Sequence, residues 1–220
     1  MDTELSLALS NSISEKVGSV ATDLLEIGLD AVLEDGVLKE IPILSTMVSL
    51  FKIGNSVKER HDVRKLAAFV AALNNGIIDE EKRDYYKKIV RDNPAKRDKE
   101  LEHILIIINR YVHINKAELL AKFYLAYLDE EIDWNSFSKA AEILDRLLPG
   151  DFQELENNSW SDLNDSDVSD SLLRLISLGL VITHSKAVNV VAGTLVIPDA
   201  EIKDYELTIF GSMFLRYLSA

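Results

Sequence analysis

Cysteine is absent from the 220 residues. Disulfides, thiolate metal sites and cysteine nucleophiles are excluded with it, and the chain suits a reducing compartment. Glycine (9) and proline (4) are sparse and scattered. Neither phosphate-cradling pattern, GxxxxGK[ST] or GxGxxG, occurs, and the GxSxG elbow of serine hydrolases is missing too. The four histidines, His61, His103, His113 and His184, stand apart, with no HExxH. On one continuous helix His103 and His113 would be separated by roughly 15 Å of rise, too far to share a metal. No catalytic residue, metal or cofactor is expected. Long apolar runs are lacking as well: Ile41 to Phe51 is eleven residues without a charge, which at about 1.5 Å each spans roughly half a hydrocarbon core. Basic residues are the last scarcity, 24 against 37 acids for a net charge of −13, which repels phosphate backbones and anionic lipid. Asp2 and Glu4 stand where a secretory signal carries bases, so the expected setting is cytoplasmic, with a peripheral position at the inner membrane as the variant.

What remains is 47% hydrophobic and 28% charged, the composition of a globular chain with a sizeable core. Apolar residues recur at helical spacing up to residue 148. The pattern predicts helices over 12–34, 42–58, 62–73, 77–92, 96–112, 115–128 and 134–148. Asn74, Asn75 and Gly76 read as a closing turn, Asn115 and Asp133 as N-caps, and Pro149 with Gly150 as a domain boundary. After it the texture changes. Asp167 reads as the cap of a helix through Ser177, Val181 to Pro198 as β-branched runs turning at Ala192 and Gly193, Tyr205 to Thr208 as an extended piece, and Ile209 to Leu218 as a last helix. The expected fold is mainly α: a helical bundle over 1–148 and a small α+β winged-helix-like domain over 149–220.

Two constellations stand out. Leu38 to Val57 carries an apolar helix on which Ile43, Met47, Leu50 and Phe51 share a face, with Ser45 and Ser49 four apart. It reads first as a core helix, and second as a surface for a membrane or a partner groove. Residues 82–99 hold eight bases against three acids, including Lys87, Lys88, Arg91, Lys96 and Arg97 beside Tyr85 and Tyr86. That mixture suits an anion or nucleic acid, or a solvated helix laced with ion pairs. The acidic run Asp129 to Asn135 lacks the glycine and ligand spacing of a calcium loop, and helix capping explains it. On the helix ending at Ser177, Arg174 stands against Asp167 and Asp170, so the C-terminal domain reads as a protein contact surface rather than a DNA reader.

The segments LKEIPILSTMVSLFKIGNSVKERHDVRKLAAFVAAL (38–73), ELLAKFYLAYLDEEIDWNSFSKAAEILDRL (118–147) and YELTIFGSMFLRYL (205–218) resemble a group of uncharacterised bacterial proteins of similar length. In that group an IPI turn precedes an apolar helix, the middle is helical and the end is winged-helix-like; Ser45 stands where the group has glycine. The resemblance implies a bacterial cytosolic setting, on mobile or defence-related elements, and carries no activity. The expected function is non-enzymatic: an interaction or regulatory protein with a protein partner. A membrane-associated effector using 38–57 and a nucleic-acid-binding regulator using 82–99 are the alternatives, and self-association stays open.

Overall fold

A computed structural model describes residues 2–14, 41–51, 56–76, 80–157, 160, 168–192 and 195–219. These residues are mostly helical, with one two-stranded antiparallel sheet, and the chain divides into two compact units at Asp145/Arg146.

In the first unit α1 covers Asp2–Ser14, α2 Pro42–Phe51, α3 Val57–Gly76, α4 Glu80–Asp92, α5 Pro94–Arg110, α6 Ile114–Leu128 and α7 Trp134–Arg146. Small residues let α3 and α6 approach closely: Ala67, Ala68 and Ala71 on one, Ala117 and Ala121 on the other, are all buried. Phe69, Tyr124 and Phe137 fill the space around that seam, with ring centroids 6.3 Å and 5.6 Å apart in sequence order. Burial pushes the phenol pKa values of Tyr111 and Tyr124 up. The Tyr111 hydroxyl donates to the Ala141 carbonyl at 3.0 Å.

Two buried lysines close helix ends, where unpaired carbonyls and the helix dipole favour a cation. Lys116 donates to the Asp145 carbonyl of α7 at 2.9 Å. Lys65, 1% exposed, donates to the Asn109 and Tyr111 carbonyls at the end of α5, at 3.0 and 2.9 Å.

Several expected boundaries move. The first helix begins at Asp2, and the remainder of the 12–34 prediction lies outside the described residues. The helix expected over 42–58 is described from Pro42 to Phe51, residues 52–55 lie outside the described residues, and Lys58 belongs to α3. The reason is a capping box: the Ser56 hydroxyl accepts from the Glu59 N–H at 3.1 Å and Glu59 accepts from the Ser56 N–H at 3.3 Å, fixing a helix start there. At its other end Asn74, Asn75 and Gly76 continue α3 instead of closing it, because the Asn74 side chain donates to the Val70 and Ser12 carbonyls and is thereby satisfied inside. Asn115 lies within α6, which starts at Ile114 with His113 before it. Asn93 caps α5, accepting from the Lys96 N–H, with Pro94 in the first turn. Asp133 accepts from the Ser136 N–H at 2.8 Å and caps α7 as its sequence suggests, a bond that lowers its pKa.

The second unit contains α8 (Pro149–Asn157), α9 (Asp170–Ser177), β1 (Val181–Ala192), β2 (Leu195–Leu207) and α10 (Ile209–Ser219). Pro149 opens α8. Asp151, fully buried, reaches back to the Leu148 N–H at 2.6 Å and accepts from Arg174 Nε at 2.7 Å. Asp167 lies outside the described residues, and the cap of α9 is Ser169, which accepts from the Leu172 N–H at 3.0 Å. The end of α9 follows from Gly179, at φ 72°. Its N–H donates to Ile176 and that of Leu180 to Leu175, the paired bonds of a Schellman turn. The separate extended runs fuse into one long hairpin, in register from Val181↔Leu207 to Ala192↔Leu195, with an irregularity at Val188/Val190. Leu172, Leu175, Leu180, Tyr205 and Phe214 form its core.

Candidate functional site

The apolar helix expected at 38–57 splits into two roles. Ile41, Ile43 and Leu44 are fully buried at its start, and the Ile43 N–H donates to Ser12 Oγ at 2.9 Å, tying α2 to α1. Met47, one turn on, is half-buried and faces a cavity of about 620 Å³. Leu50 and Phe51 lie on the same helix, their side chains outside the described set. The cavity joins Leu5 of α1 and Met47 to one face of α3 and one face of α5.

On α3 its lining positions are Lys58, Glu59, Asp62, Lys65 and Leu66; on α5 they are Glu102, Leu105, Ile106, Ile108 and Asn109. Spacings of three and four along each helix place these residues on one stripe. The apolar members are Leu5, Met47, Leu66, Leu105, Ile106 and Ile108, and Ile106 keeps 54% of its surface exposed. The polar members are mostly committed to each other. Lys58 Nζ meets Asp62 at 2.7 Å and Asn109 Oδ1 at 3.4 Å, while Lys65 Nζ meets the other Asp62 oxygen at 2.8 Å. Burial alone would raise the Asp62 pKa, but the two lysines together hold it below 3.8. Asp62 is therefore a fixed anion at neutral pH, held as a strut rather than as a proton acceptor. Glu102, by contrast, is exposed on the α5 rim, and its side chain meets no cation among the described residues.

The basic stretch behaves differently from a free cationic surface. Lys82 pairs with Asp129 at 3.1 Å, Lys87 with Asp84 at 3.1 Å, Lys96 with Glu100 at 3.6 Å and Arg97 with Asp98 at 2.6 Å. Tyr86 donates to Asp129, and Tyr85 to Glu130 at 3.1 Å, a bond that raises the Tyr85 pKa. The basic run and the acidic turn after α6 thus dock on each other. Glu130 takes a left-handed backbone (φ 59°) at that turn. Lys88 is exposed, and Arg91's side chain lies outside the described set.

A smaller cleft of about 300 Å³ lies beside Lys96, Lys99, Glu100, His103 and Trp134. His103 stands edge-on to Trp134 at 5.7 Å, and its buried Nε2 has no hydrogen-bond partner. His61 Nε2 lies 2.7 Å from the Val112 carbonyl, and His184 lies 3.6 Å from Glu206. Among the described residues no group of three His, Asp or Glu side chains is placed to hold a metal, and no helix is long and apolar enough to cross a membrane.

No family model, curated protein or solved structure matches the chain. Of the groove's residues Met47 lies on the apolar face expected at 38–57, and Leu105, Ile106 and Ile108 lie in the apolar helix expected over 96–112. Lys58, Glu59, Asp62, Lys65 and Glu102 are ordinary charged helix positions, brought together only by the packing of α3 beside α5. The one local signal was the S-x-x-E spacing of Ser56 and Glu59, which marks the start of the groove's first wall.

Proposed function

We propose that the protein is a non-enzymatic bacterial interaction or regulatory protein whose helical unit seats an apolar segment of a protein partner in the groove between α3 and α5. The observation that carries this reading is the groove's make-up. It is a concave, half-open space of about 620 Å³ with apolar walls, in the size range of specific binding sites. Its buried charges are already neutralised by internal partners, which leaves binding as its chemistry. Met47 and Ile106 are the residues a partner would touch.

The rest of the molecule is consistent with a protein partner in a cytoplasmic setting. Four of the bases in 82–99 meet carboxylates, which weakens a nucleic-acid reading. We read the C-terminal unit as winged-helix-like from its order of helices, hairpin and closing helix. Arg174 on α9 is tied to Asp151 while Leu173 is exposed, so that surface favours protein over phosphate.

The test is affinity capture from the native host at native expression level with the wild-type chain and with Ile106→Glu. Substitution at an exposed position leaves the melting temperature unchanged. A stoichiometric protein recovered with wild type and lost with Ile106→Glu is the expected result. The same proteins recovered with both chains, or lipid alone with either, would contradict the reading.

A further inference from the structure

The groove's dimensions and charge point to a particular kind of partner. Its lining runs from Lys58 to Leu66 on one helix and from Glu102 to Asn109 on the other. At 1.5 Å per residue these walls are roughly 12 and 10 Å long. An incoming helix with apolar residues at i, i+3, i+4 and i+7 covers about 10.5 Å along its axis. Each wall is therefore about as long as one two-turn stripe. An isolated side chain would leave most of the length empty, and an extended strand would find helix faces in place of the sheet edge it needs.

Charge then decides which amphipathic helix fits. Two lysines and three carboxylates line the groove. Lys65 spends its donors on Asp62 and on the Asn109 and Tyr111 carbonyls, and Lys58 is held by Asp62 and Asn109. Glu59 is occupied at the Ser56 N–H. Glu102 alone of the five forms no side-chain bond among the described residues, and it stands exposed on the rim beside Ile106. A ligand carboxylate laid along that rim meets Glu102 and a chain of net charge −13, whereas a lysine or arginine there gains a partner without displacing one.

We propose that the occupant of the groove is an amphipathic helix of a partner protein, carrying its basic residues along the flank that faces Glu102. This rests on the groove being the binding site proposed above. Apolar anchors fill the wall formed by Met47, Leu66, Leu105 and Ile106, while the basic flank sets the orientation of the bound helix.

Fluorescence anisotropy on the full chain tests it with two labelled helical peptides of about 14 residues. They share one leucine stripe, one flanked by lysine and the other by glutamate. The lysine peptide is expected to bind at least about tenfold more tightly at low salt. Glu102→Lys, with an unchanged melting temperature, is expected to abolish or invert that preference. Equal affinity of the two peptides, or tighter binding of the glutamate peptide, would overturn the basic-flank inference while leaving the groove intact. Binding of neither peptide at any salt would overturn the groove reading along with it. Saturable binding of dodecylamine but of neither peptide would assign the groove to a small cationic amphiphile, and would also contradict the proposal.

Discussion

Inside the helical unit three oxygens converge on the Lys65 ammonium: two carbonyls at the end of α5 and one oxygen of the Asp62 carboxylate, whose other oxygen meets Lys58. Removing one partner of such a buried set leaves the others uncompensated. Lys65→Met is expected to destabilise the protein by about 3 kcal/mol, measured by urea denaturation. A loss under about 1 kcal/mol would mean that the carbonyls find other donors. Asp62 supplies a pH signature of the same cluster. Its pKa is depressed in the folded chain, so its contribution to stability is present above the unfolded value near 3.8 and is lost as pH falls through the lower folded value. Below about pH 4 the wild type should lose stability more steeply than Asp62→Asn. Parallel curves for the two proteins would remove Asp62 from the account.

At the scale of the element, helix ends show where sequence is legible. Asp133 before Trp134 is a local signal, read by the N–H three residues on; Asn93 before Pro94 is the same kind of signal and starts α5 two residues ahead of the expected 96. The isoleucine-rich run 104–108 falls inside α5 because it follows a charged, periodic lead-in. The same locality explains the misplacements. Asn74 looks like a turn residue until Ser12, sixty-two positions away, offers it a carbonyl. Asn115 loses to a helix that begins one residue earlier. In the sequence Ser185 and Lys186 interrupt the β-branched pattern, yet cross-strand pairing with Lys203 and Ile202 carries β1 through them. Two substitutions test these ends. Ser56→Ala removes half of the capping box that starts α3, and a cost of about 1 kcal/mol is expected in thermal unfolding. Gly211→Ala would set a Cβ 2.0 Å from the Leu180 carbonyl oxygen. Because backbone must move to admit it, a loss of about 2 kcal/mol or more is expected, and an unchanged melting curve would contradict the packing of α10 described above.

For the molecule as a whole, the mainly helical fold class is legible in the sequence and the groove between α3 and α5 is not. Helical periodicity needs only neighbours in sequence. The groove needs α3 and α5 side by side, and its charged lining lies on faces that periodicity assigns to solvent; only its apolar members, Met47 and the isoleucine-rich run of α5, carry a periodic signal. Overall charge is likewise a molecular property. A net −13, with most described bases of 82–99 in ion pairs, predicts no retention on double-stranded DNA near 50 mM salt, about where phosphate attraction is strongest in practice. Retention that falls steeply with added salt would contradict this.

The central claim, that a partner helix fills the groove between α3 and α5, is open to one direct measurement because the chain has no cysteine of its own. Ile106→Cys places a unique thiol on the groove wall, and Leu173→Cys places one on an exposed position of the second unit. Alkylation rates are followed with and without saturating lysine-flanked peptide. Slowing at 106 of at least about tenfold, with the rate at 173 unchanged, is the predicted result, since a buried thiol is screened from reagent. An unchanged rate at 106 when the peptide is bound would place the interaction elsewhere and contradict the account.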